Sequence, residues 1–104
     1  MKQLTIIEKY AIVIILSQIM NADGVIHPKE EEYMNKIYEE FDISIDDLED
    51  MEDMDATQAN SVFSVMSDDK KKYARSLFIS MSEADGYVHP FESALIERYF
   101  LEKR

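Results

Sequence analysis

The apolar positions of this chain fall into stretches with helical spacing, separated by short polar breaks. Tyr33, Met34, Ile37, Tyr38 and Phe41 form one stripe. Tyr73, Leu77, Phe78 and Met81 form another; Ser67 reads as its N-cap, Asp68 and Asp69 as its first turn, and Lys70 to Lys72 as its outer face. Phe91, Leu95, Tyr99 and Phe100, with Ala94, form a third. Two shorter helices fit between. Ser44 opens one, with Ile45, Leu48 and Met51 inward and Asp47 completing a capping box. Ala56 to Met66 makes the other, with Ala59, Val62, Phe63 and Met66 inward. Tyr10 to Leu16 is apolar all round and rich in β-branched residues, so taken alone it also reads as a buried strand.

An internal repeat removes that ambiguity. Residues 22–30 read A-D-G-V-I-H-P-K-E and residues 84–92 read A-D-G-Y-V-H-P-F-E, identical at six of nine positions and offset by 62. The copy near residue 84 follows a helical stretch, so residues 4–21 should also be helix, more fully buried than their counterpart. The expected fold is all-α: one domain over 1–104, a compact bundle of about six helices. It has two pseudo-symmetric helix–loop–helix halves, at about 4–41 and 67–103, joined by acidic linker helices within 42–66.

Composition narrows the function. Apolar residues make up 46% of the 104 positions, enough for a core. The absence of cysteine excludes a disulfide scaffold, a thiolate zinc finger and a cysteine nucleophile. With 11 basic and 22 acidic residues the net charge is −11, which argues against nucleic acid and suits cations or a basic protein partner. From Ile37 to Asp69 there are 12 acidic residues and no basic one, eight of them within Asp42 to Asp55. That stretch reads first as a solvated face, and second as a docking surface for a basic partner. The run from Ala11 to Leu16 is too short for membrane insertion, and Glu8 and Lys9 would fall inside the apolar region of a signal peptide. The chain therefore reads as soluble and cytoplasmic.

The duplicated motif holds the candidate chemistry. Local geometry accounts for most of it. Gly24 and Gly86 suit the left-handed position that ends a helix, and Pro28 and Pro90 suit N1 of the next. Ile26 and Val88 would plug the loops into the core, and Glu30 and Glu92 fall at N3, favourable to the helix dipole. Asp23 and Asp85 are not explained this way. An anion at a helix carboxyl end is disfavoured by roughly 0.3–1 kcal/mol. If the loop folds Asp23 towards Glu30, and Asp85 towards Glu92, two anions share each site and a hard divalent cation resolves the repulsion. An EF-hand alignment matches Asp23, Gly24, Ile26 and Glu30, but its opening Asp is replaced by Ile19 and, in the second copy, by Met81. A site shared between loops would restore the ligand count. His27 and His89 occupy equivalent positions, as caps or surface residues, or as ligands that would shift preference towards zinc, manganese or iron. No nucleophile elbow, phosphate loop or H-E-x-x-H supports catalysis.

At Ala22-Asp23-Gly24, Ile26 and Glu30, and again at Ala84-Asp85-Gly86, Val88 and Glu92, the chain resembles the tellurite-resistance TerB-like family. That family is related to the N-terminal domain of the membrane-anchored DnaJ-like proteins. The resemblance covers roughly residues 4–102. It implies a pseudo-symmetric helical bundle, a stress-resistance role and divalent metal at the acidic clusters. The expected function is thus a non-enzymatic TerB-like module holding a divalent cation through Asp23, Glu30, Asp85 and Glu92, with His27 and His89 as further candidates. The rival is a metal-free interaction module that presents its acidic surface to a basic partner. A metal-dependent hydrolase is the third reading.

Overall fold

Helix starts are written locally in this chain, and four of the five observed ones are capped by the side chain that precedes them. The computed structural model describes residues 3–21 and 27–84. They form α1 (Ile6–Met20), α2 (Pro28–Glu40), α3 (Ile45–Met51), α4 (Ala56–Ser64) and α5 (Asp68–Ser82), with no strand among the described residues. Thr5, Ser44, Asp55 and Ser67 each accept a hydrogen bond from the backbone N–H of the third helical residue. In α1, α3 and α4 the third residue returns the bond, closing full capping boxes with Glu8, Asp47 and Gln58. The Ser44–Asp47 box matches expectation. The other two, at T-x-x-E and D-x-x-Q, carry the same spacing but were not anticipated.

Helix α1 is the centre of the packing. It contacts α2, α4 and α5, and α2 also contacts α5. Ile12, Ile15, Leu16 and Ile19 are fully buried, with Tyr10, Ala11 and Val13 beside them. Each large aliphatic side chain taken from water contributes about 1.5–3 kcal/mol before entropic costs. The strand alternative for Tyr10 to Leu16 is therefore resolved as helix. Leu77, Phe78 and Met81 of α5 face the same core, as do Met34 and Ile37 of α2 with its C-cap Phe41, and Ala59, Phe63 and Met66 from the α4 region. The Phe63 and Phe78 rings meet at 5.7 Å, and the Arg75 guanidinium lies 5.7 Å from the centre of the Phe63 ring.

Helices α1 and α5 have equal length, and their bounds differ by 62 residues at both ends, the offset of the motif. Ile15, Leu16 and Ile19 correspond to Leu77, Phe78 and Met81, and all six are buried. Glu8 and Lys70 also correspond, and they form an ion pair at 2.8 Å. Lys70, expected on the outer face with Lys71 and Lys72, is thus turned onto α1. Burial by itself raises the Glu8 carboxyl, but the bonds from Lys70 and Thr5 outweigh it and hold the group below its ordinary value. The sixth helix expected from Phe91, Leu95, Tyr99 and Phe100 lies outside the described residues.

Helix α3 departs from expectation. Only Met51 of the anticipated inward set is buried; Ile45 is 77% exposed and Leu48 38%. The buried Met51 and a hydrogen bond together fix the face that α3 turns inward. The Tyr10 hydroxyl donates to Asp47 Oδ1 at 2.9 Å. Asp47 and Met51 are four residues apart and share one helix face, so turning that face to α1 leaves Ile45 and Leu48 outside. The α4 helix also ends earlier than anticipated, at Ser64, yet Met66 still reaches the core through the following turn.

The end of α2 closes with a Schellman motif. Ile43 N–H bonds the Tyr38 carbonyl at 2.9 Å and Asp42 N–H bonds Glu39 at 3.1 Å. Asp42 occupies the left-handed position, with φ at 56°. Lys9 Nζ donates to the Phe41 carbonyl at 3.2 Å, placing a cation at the negative helix end. An L-residue at such a φ is strained, and the Asp42 carboxylate adds charge of the wrong sign. Asp42→Gly should therefore stabilise the fold by about 0.5–1 kcal/mol, a rise of several degrees in melting temperature for a domain of this size. An unchanged or lowered melting temperature would show that Asp42 makes a compensating contribution.

Candidate functional site

Two regions concentrate chemistry. The first is the motif around residue 27, of which the structure describes His27 to Glu30 and onward. Pro28 takes N1 of α2, as its missing N–H allows. His27 is the N-cap residue with extended backbone; its side chain makes no cap hydrogen bond, and it is half-buried. Its carbonyl accepts from the N–H groups of Glu30 at 3.0 Å and Glu31 at 3.1 Å. Glu30 is at N3, as the spacing required, and 0% exposed. The N3 residues of the three capping boxes, Glu8, Asp47 and Gln58, all keep access to solvent. Glu30 is thus the one wholly buried charged side chain among the described residues.

A carboxylate removed from water is stabilised only by donors or cations brought to it. The amino end of α2 supplies part of that field through its open N–H groups and dipole. Asp23, Asp85, His89 and Glu92 lie outside the described residues, as do Gly24 and Gly86. Among the described residues, no three His, Asp or Glu side chains gather at metal-binding distance.

The second region was not foreseen as a concavity. The amino-terminal turns of α1, the carboxyl end of α3 and the exposed side of α4 line an open groove of about 740 Å³. Ile6, Ile7 and Tyr10 of α1 and Val62 of α4 line it, with Asp50 and Asp53 from the α3 side. Ile6 and Ile7 are 45% and 46% exposed. Sequence patterning shows Ile6 and Ile7 as apolar, but their exposure depends on where α4 crosses α1. No helix among the described residues is long and apolar enough to cross a membrane.

Tyr10 and Asp47 tie α3 to this groove, and each alters the other's titration. Burial, then the Asp47 hydrogen bond and the charges of Asp47 and Asp50, push the Tyr10 phenol up to about 12. The Ser44 backbone N–H, then the Tyr10 and Ser44 hydroxyls, hold Asp47 below its ordinary value. The signs are opposite. Asp47 contributes stability above its ordinary pKa, and this is lost as acid protonates it in the fold. Tyr10 contributes below its ordinary value near 10, and this is lost as pH rises towards about 12.

Tyr10→Phe should accordingly raise the Asp47 titration midpoint, read from its carboxyl carbon by NMR. It should also shrink the alkaline loss of stability between about 10 and about 12. An Asp47 midpoint identical in both proteins would show that Ser44 alone controls the carboxylate.

No family model, curated protein or solved structure matches this chain.

Proposed function

We propose that this chain is a TerB-like helical module of the stress- and tellurite-resistance type, which binds a divalent metal and carries out no catalytic turnover. Its two halves are pseudo-symmetric, and the second ends in a sixth helix. The ligands are Asp23 and Glu30 from one loop and Asp85 and Glu92 from its repeat, with His27 and His89 adjacent in sequence.

The observation that carries this reading is the complete burial of Glu30 at the start of α2. A carboxylate meant only to cap a helix can keep access to solvent, as the partly buried Glu8 does at the same position of α1. Withdrawing it from water suits a group that holds a cation within the preceding loop. The donor set agrees, because four carboxylates offer the hard oxygen ligands that calcium, magnesium or manganese take, and two imidazoles extend the range towards zinc. Support for the two halves comes from the equal, 62-offset bounds of α1 and α5. The Glu8–Lys70 pair adds to it, since residues related by an approximate two-fold can meet only near its axis.

The test is metal content after purification without chelator, followed by calorimetric titration with calcium, manganese and zinc. Metal should raise stability by about 2.7 kcal/mol at a hundredfold excess over its dissociation constant. The gain should fade at low pH, because the carboxylates must be ionised to bind. Asp23→Asn should abolish most of this gain while scarcely changing stability in EDTA, since it removes an anion from a helix carboxyl end. Absence of both heat and a melting shift with every metal would leave a helical connector that is written twice.

A further inference from the structure

The groove between α1, α3 and α4 has a volume within the ~300–1,000 Å³ of clefts that receive ligands. Isolated exposed aliphatic side chains are ordinary on protein surfaces. Here Ile6 and Ile7 are adjacent, nearly half exposed, and set beside a concavity that continues to the half-buried Met54 and Val62. This is an apolar floor of the kind that accepts large side chains from a partner.

The charge around the groove selects that partner. Both α3 and α4 come from the stretch between Ile37 and Asp69, which has no Lys or Arg. Asp50 and Asp53 line the groove itself, and Asp46, Glu49 and Glu52 are exposed on the same short segment. Thr57, Gln58 and Ser61 give the α4 side hydrogen-bonding groups. An acidic segment would be repelled here, and so would a second copy of a chain with net charge −11. A cationic one would be steered in.

The geometry points to this groove as the docking site for a short basic amphipathic helix, whose apolar face enters between α1 and α4 while its Lys or Arg side chains meet the acidic α3 end. Such helices present anchors at i, i+3, i+4 and i+7. Ile6 and Ile7 receive these anchors, and Asp50 and Asp53 fix the direction in which the helix lies. Glu30 is not among the described residues that line the groove, and the docking argument uses none of the proposed metal ligands, so neither reading depends on the other.

The test uses the full chain and a synthetic peptide of about four helical turns, with Leu at i, i+3, i+4 and i+7 and Lys at most other positions. A peptide of the same composition in scrambled order is the control. Calorimetry should show one site, affinity falling with added salt, and the scrambled peptide bound about tenfold more weakly or worse. Asp50→Lys/Asp53→Lys should weaken the patterned peptide by at least about tenfold. Ser61→Trp leaves every charge in place and fills the groove, so it should weaken binding comparably. Ser61 is exposed on α4, and this variant decides the matter if the double variant fails to fold. EDTA should leave peptide affinity unchanged. Equal binding of the two peptides, or full affinity in Ser61→Trp, would overturn the proposal and reduce the interaction to charge alone. So would a dimer of the unliganded chain that Ser61→Trp dissociates, which would make a second copy the occupant.

Discussion

Helix α1 carries apolar side chains on nearly every face, and such a helix is stable only if other helices enclose it. Burial of Ile12, Ile15, Leu16 and Ile19 therefore dictates the arrangement of everything else. Helices α2, α4 and α5 each give α1 an apolar stripe and keep most of their polar residues outside, Glu30 of α2 and Ser82 of α5 excepted. Removing one of them would return part of α1 to water at about 25 cal/mol per Å² of apolar surface. Three polar contacts tie the amino-terminal turns of α1 to its neighbours. Lys9 reaches the end of α2, Tyr10 holds α3 through Asp47, and Glu8 pairs with Lys70 of α5.

The charges follow from this plan. With the core taken by α1 and its neighbours, the short helix α3 meets the body through Met51 and Asp47, and its remaining residues face solvent. Eight carboxylates thereby fall between Asp42 and Asp55, most of them exposed, without a cation in their own segment. Their mutual repulsion is tolerable in water and salt, where exposed charges are screened beyond about a Debye length. Glu30 stands in the opposite condition, one carboxylate with no exposure at all. Exposed and buried acids serve different chemistry. The first attract cationic surfaces at a distance, and the second can hold a single ion at close range.

These two regions are associated with opposite ends of α1. The groove uses its amino-terminal turns, and the repeated motif begins just beyond its carboxyl end. A helix of 15 residues separates its ends by about 22 Å. Rigid enclosure of α1 would let an event at one end be felt at the other only through movement of the whole helix. Close packing resists that movement.

Much of this was legible in the residues. Helix content, the positions of Pro28, Ser44 and Ser67, and the buried stripes of α2 and α5 follow from spacing and from cap chemistry, which act within one or two turns. The repeat draws attention to Glu30 through its partner Asp23, because a recurring Asp at a helix carboxyl end needs a reason that helix caps do not supply. Three features were decided only by tertiary structure. The facing of α3 goes with the burial of Met51 and a hydrogen bond from Tyr10, a residue 37 positions away, against an apolar pattern that favoured Ile45 and Leu48. The inward turn of Lys70 came from Glu8, 62 positions away. The groove arose where α4 crosses α1 without covering Ile6 and Ile7. Local spacing tells a residue's helix and its face. Which neighbour that face meets depends on contacts between residues far apart in sequence, and no periodicity encodes them.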